Sequence, residues 1–157
     1  QMTDDERERH VYKCAVGSRA AGGVPIANRV SASWKAAWRE VGGRRIYFRS
    51  RWEANYGRYL EWLKAGGHIA EWDHEPAVFW FDGIRRGCVS YLPDFKVTEL
   101  DGTVRWHEVK GWMDARSATV LKRMAKYHPK ETIVLIREKQ YNEIKRKVSA
   151  MIPGWES

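Results

Sequence analysis

Between residues 77 and 136 the hydrophobic period changes twice, and the order of those changes leaves few folds open. Four short stretches, 77–81, 87–92, 95–100 and 104–110, are rich in β-branched or aromatic residues. Asp82-Gly83, Pro93-Asp94 and Asp101-Gly102 punctuate them with turn chemistry. Asp114 then caps a predicted helix to about residue 127, with Val120, Leu121, Met124 and Ala125 inward and His128-Pro129 closing it. Residues 132–136 form an apolar run suited to a buried parallel strand. Strand, helix and strand in that order make a crossover, so 104–136 predicts a βαβ unit.

The flanks are read the same way. Ser50 is an N-cap with Glu53 three residues later, as in a capping box. Trp52, Tyr56, Tyr59, Leu60 and Leu63 follow at helical spacing, and Gly66-Gly67 stops the helix. Ser33 predicts a short helix through Val41, ended by Gly42-Gly43, and 139–150 predicts a last, basic helix. The expected class is α/β, a central mixed sheet flanked by helices. Residues 1–30 read as a flexible N-terminal arm, and 31–157 as a single domain.

At 157 residues the chain is about one domain long. Nothing approaches the run of about 18 apolar residues that a membrane span needs, so no membrane partner is expected. Lys and Arg number 28 against 20 Asp and Glu, a net charge of +8 that attracts polyanions. Cys14 and Cys88 are too few and too far apart for a structural zinc site, and fit a reducing, cytoplasmic setting. The nine Trp are read mainly as core fillers.

The chemistry concentrates in Tyr91-Leu92-Pro93-Asp94-Phe95 and, after a hairpin, His107-Glu108-Val109-Lys110-Gly111. Glu108 and Lys110 are two apart on a strand, so both leave one face, together with Trp106. Two carboxylates hold Mg²⁺ or Mn²⁺ through hard oxygens, and a neighbouring ammonium orients water or offsets transition-state charge. Such a set suits phosphodiester hydrolysis. It depends on register: a two-residue Asp101-Gly102 turn would set Asp94 opposite Val109, on the wrong face. The site therefore requires an odd loop or a bulge, for example an Asp101-to-Thr103 loop with Leu100 opposite Val104.

Pro93-Asp94 followed by Glu108-Val109-Lys110, with Ser50-Arg51-Trp52-Glu53 opening the preceding helix, resembles the PD-(D/E)XK nuclease superfamily across roughly residues 47–137. Small Holliday-junction resolvases of the archaeal type and phage endonuclease I are similar in their Glu, Asp, Glu-x-Lys order. The end-cleaving nuclease subunit of some transposons is similar over 47–110. The resemblance implies a Mg²⁺-dependent endonuclease (Mn²⁺ substituting) that acts on branched DNA as a homodimer, with a phage origin and a host-cytoplasm location. Asp94, Glu108, the Val109 carbonyl and Glu53 would hold the metal, and Lys110 would position the attacking water. The alternatives are a site-specific cleavage subunit of the same superfamily and a non-catalytic basic module.

Between Lys35 and Arg58 stand Lys35, Arg39, Arg44, Arg45, Arg49, Arg51 and Arg58 against Glu40 and Glu53. Flanking a catalytic acid, they read as a phosphate-gripping surface, extended by Lys122, Arg123 and Lys126. Lys139, Lys145, Arg146 and Lys147 extend it or only solubilise. Ser50, Arg49 and Trp112 are further candidates for backbone contact. His107 and His128 read as structural, and His68 and His74 receive no catalytic role.

Overall fold

The computed structural model describes residues 35–157, so the predicted arm at 1–30 and the Ser33 cap lie outside the described residues. The chain is α/β. Its strands are β1 (Ala37–Val41), β2 (Arg44–Phe48), β3 (Glu71–His74), β4 (Phe79–Trp80), β5 (Ser90–Tyr91), β6 (Phe95–Thr98), β7 (Val104–Val109) and β8 (Thr132–Ile136). The helices are α1 (Arg51–Ala65), α2 (Ala115–Tyr127) and α3 (Glu138–Val148), with a 3₁₀ turn at Ser149–Met151. The central sheet runs β3-β6-β7-β8. Its first three strands are antiparallel, and β8 joins β7 in parallel through α2, the expected crossover.

Alternation along the strands divides the core between the two faces of this sheet. Phe95, Val97, Val109, Val134 and Ile136 pack with Trp72 under Ala54, Tyr56 and Leu60 of α1 and Tyr141 of α3. On the other face Ile133 joins Phe81, Tyr91 and Met124, with Val120 of α2 and Phe79. Phe79 meets Trp106 edge-on at 4.9 Å between ring centroids. His107 faces α1 and shares a 2.7 Å hydrogen bond with the Tyr56 hydroxyl; burial, then Arg105, hold its pKa down to about 4. His128 ends α2 and bonds to the Trp80 carbonyl at 2.8 Å.

Several expectations need correction. Residues 37–48 are a β-hairpin, not the end of a helix. Gly42 and Gly43 have φ of +60° and +71°, the pair of positive values a two-residue hairpin turn demands. The alternation is masked because an inward position is Arg39, whose charge is answered by Glu156, 117 residues later, at 2.5 Å. Glu71–His74 is a sheet strand rather than a connection. β4 and β5 are a separate two-residue ladder, not members of the central sheet. Ala125 is exposed, and β8 is an edge strand only partly buried along its length.

The parity condition is met by a different loop. Thr98, not Leu100, stands opposite Val104. Glu99 N–H donates to the Thr103 carbonyl at 2.8 Å, and Gly102 N–H to the Glu99 carbonyl at 3.0 Å. That encloses a three-residue turn, Leu100-Asp101-Gly102, with Gly102 at φ +84°. Continuing the Phe95–His107 pairing by one residue sets Asp94 opposite Glu108, on its face of the sheet.

The chain end is clamped to α1. Asn55 is buried; its amide donates to the Tyr141 hydroxyl at 2.9 Å and the Glu156 carbonyl at 2.8 Å, and its oxygen accepts from Glu156 N–H at 2.9 Å. Removing the amide leaves buried groups without partners. Asn55→Ala is expected to cost about 2–4 kcal/mol in a denaturant titration, with the 155–157 segment becoming the first point of proteolytic attack.

Candidate functional site

The site forms where the antiparallel strands end against the start of α1. Ser50 caps α1, its Oγ accepting from Glu53 N–H at 3.0 Å. The Glu53 carboxylate turns back to accept from the N–H of Arg49, not Ser50, at 3.1 Å. It is therefore a capping acid and an inward one together, 4% exposed. Its other oxygen, Oε1, lies 2.6 Å from His74 Nε2.

Asp94, 6% exposed, is the centre of the group. Oδ2 accepts from Val109 N–H at 2.8 Å and Oδ1 from the Arg49 guanidinium at 3.1 Å. Glu108 accepts from the Tyr91 hydroxyl at 2.9 Å through Oε2, and Lys110 Nζ lies 3.4 Å from Oε1. Glu75 is ion-paired with Arg49 and donates its N–H to the Asp94 carbonyl at 2.9 Å. Asp94, Glu108 and Lys110 thus lie together at the end of the β6–β7 pair, and Glu53 is linked to Asp94 through Arg49, from whose N–H it accepts and whose guanidinium bonds Asp94. His74 and Glu75 join them although His74 received no role. The signal for His74 was its parity with Trp72 in a strand concealed by Glu71 and Asp73.

Crowded carboxylates in a dry place resist ionisation. Burial, then the charges of Glu108 and Glu53, push the Asp94 pKa well above the usual carboxylate range, against the pull of Arg49 and the Val109 N–H. Burial also raises Glu108, although Lys110, Tyr91 and Arg49 oppose it. Tyr91 is raised by burial and by the adjoining Glu108. An additional cation among these oxygens would relieve that repulsion.

The donors suit such a cation: carboxylate oxygens from Asp94, Glu108 and Glu53 are hard ligands fit for Mg²⁺ or Mn²⁺. Among the described residues, the three that bring one ligand atom each to within 4.8 Å of one another are Glu53, His74 and Glu75, a set that includes an imidazole nitrogen.

The predicted phosphate-gripping residues do not form one surface. Arg39 is spent on Glu156 at 2.5 and 2.9 Å, and Arg58 on Glu156 at 3.0 Å. Glu156 is held down to about 2 chiefly by its hydrogen bond to Arg39. Arg44 lies over the Trp72 ring at 4.1 Å and bonds the Trp72 carbonyl, and Arg49 is inside the acidic site. Arg123 bonds the Cys88 carbonyl and Arg51 the Ser157 carbonyl. Lys35, Arg45, Lys122 and Lys126 remain exposed, as does Trp112 at 79%, two residues beyond Lys110.

The sign of the pH dependence follows from the raised carboxyls. A carboxyl whose folded pKa exceeds its unfolded value stabilises the fold below the ordinary carboxylate range and loses that contribution as pH rises. Glu108→Gln keeps an acceptor for Tyr91 without the charge. In EDTA it is expected to exceed the wild type by about 1 kcal/mol at pH 8, the difference closing towards pH 4, as read by denaturant titration across that range.

A family model described as a protein of unknown function, DUF1064, matches residues 35–150, from the start of the first hairpin to the 3₁₀ turn after α3. No curated protein and no solved structure matches the chain. The matched residues include the whole acidic site, and the chain belongs to the DUF1064 family.

Proposed function

We propose that this chain is a divalent-metal-dependent endonuclease that hydrolyses DNA phosphodiesters. The observation that carries the reading is the convergence of Asp94, Glu108 and Lys110 on one face of the β6–β7 pair, with Glu53 of α1 beside them. The three-residue turn that aligns Asp94 with Glu108 supports it, because a two-residue turn would have separated them.

Asp94 and Glu108 would hold Mg²⁺, or Mn²⁺ in its place, with Glu53 beside them and the Val109 carbonyl as a further ligand. The cation would supply positive charge to the phosphate and acidify nearby water. Lys110, tethered by Glu108 and 34% exposed, would position the attacking water and offset the charge developing on the phosphoryl oxygens. The Tyr91 hydroxyl fixes the Glu108 carboxylate, and the Val109 N–H fixes that of Asp94, so both ligands are oriented before any substrate arrives. Exposed Lys35, Arg45, Lys122 and Trp112 would meet the DNA backbone.

Branched DNA, in particular a four-way junction, is the proposed substrate, cut by a homodimer with one site for each of two opposed strands. That choice rests on the resemblance to small junction resolvases and on a net charge of +8 in 157 residues.

The test incubates the protein with Mg²⁺ and labelled four-way junction, linear duplex and single strand. Paired nicks in the junction are expected, with about 10²–10³-fold loss or more in Asp94→Asn and Lys110→Ala. Equal cutting of duplex would replace the junction by a general or site-specific cleavage reading. Binding without cleavage in Mg²⁺ or Mn²⁺ would leave only a nucleic-acid-binding module.

A further inference from the structure

Arg49 stands between β2 and α1, and its guanidinium turns inward to the acidic site. Nη2 donates to Asp94 Oδ1 at 3.1 Å and is also ion-paired with Glu75. The second Asp94 oxygen is committed to the Val109 N–H at 2.8 Å. Glu75 is presented by an unusual backbone, with φ at +48°, a region that side chains other than glycine occupy at a cost. Such strain persists where surrounding contacts enforce it, and here the Glu75 N–H is tied to the Asp94 carbonyl at 2.9 Å.

The electrostatics agree with the geometry. Burial disfavours the Arg49 charge, yet Asp94, Glu75, Glu53 and Glu108 together outweigh it and hold the pKa above its ordinary value. The side chain is 39% exposed, so it has a path outward. Asp94 Oδ1 is also the oxygen left for a divalent cation, since Oδ2 serves the backbone. A guanidinium and a divalent cation on one oxygen repel each other at short range.

We propose that Arg49 is the internal counter-ion of Asp94, competing with a divalent cation for its Oδ1. Loading moves the guanidinium off Asp94 and onto Glu75, its retained anchor, and turns its remaining N–H groups towards a DNA phosphate. The five donors of a guanidinium permit both contacts, which a lysine ammonium could not span. Arg49 is thus a positioning residue that couples cation loading to phosphate binding, an assignment that rests on Asp94 and Glu108 being the cation ligands.

Mn²⁺ affinity, followed by the electron paramagnetic resonance signal of free Mn²⁺, tests this without DNA or turnover. Arg49→Gln is expected to bind Mn²⁺ about fivefold tighter or more than the wild type, while its metal-free thermal midpoint falls. Lys130→Gln removes an exposed charge ahead of β8, at the end of the sheet away from Val109, and should stay within about twofold of wild type, separating competition from a general change of field. Unchanged or weaker Mn²⁺ binding by Arg49→Gln overturns the proposal, as does an equal gain in Lys130→Gln. If Arg49→Gln shows no cooperative unfolding in EDTA, Arg49→Met is measured instead. It also lacks the competing charge and must bind Mn²⁺ more tightly, or the proposal fails. Wild-type protein that binds Mn²⁺ no better than Asp94→Asn would instead overturn the cation site itself.

Discussion

The hydrogen bond from the Val109 N–H to Asp94 Oδ2 closes the end of the β6–β7 ladder with a side chain where the backbone pairing stops. The Asp94 carbonyl accepts from Glu75, so the same residue also seals the end of β3 against β6. Its remaining carboxylate oxygen reaches Arg49 at the entry to α1. Three strands and a helix start are therefore registered through one buried acid. A buried carboxylate is costly unless its lone pairs are met and its charge is answered. Here the lone pairs are well met and the charge only partly, because Glu53, Glu75 and Glu108 crowd the single guanidinium and the Lys110 ammonium. The fold thus holds an electrostatic tension at one point of its sheet.

The distribution of positive charge carries a related lesson. A net charge of +8 invites a broad basic surface, but several of the arginines that suggest it are structural. Arg39 and Arg58 converge on Glu156 and hold the chain end over Asn55. Arg44 caps the Trp72 ring, whose indole N–H is itself bonded to Glu61 at 2.7 Å. Guanidinium groups suit these places because they are weakly hydrated, planar and rich in donors. Among the described residues, these arginines are therefore not available for the surface that a count along the chain implies.

Much of the fold was legible because its signals are local. Ser50 with Glu53, Asp114 before α2, and the apolar run of β8 each act within a few residues, and each element is present. The first hairpin was misread because its inward Arg39 breaks the alternation that would have betrayed a strand. The β3 strand was missed for the same reason: of Glu71, Trp72, Asp73 and His74 only Trp72 is apolar, and the inward His74 finds its partner on α1. Both failures involve an inward polar residue whose counter-charge lies far off in sequence.

What the sequence determined by itself was the kit and its spacing: Asp94, then Glu108 and Lys110 on one strand face, with Glu53 at a helix start. It also set the parity condition, since side chains on a strand alternate strictly and only an odd turn could bring Asp94 to Glu108. Tertiary structure alone decided which turn met it, and that Arg49, His74 and Glu75 belong to the same site. Arg49 meets Asp94 across 45 residues and Glu75 across 26. Such pairings are set by how α1 lies on the sheet and by where strand ends meet. No local pattern encodes them, because the charge that makes an inward arginine or histidine tolerable is supplied only once the chain has folded.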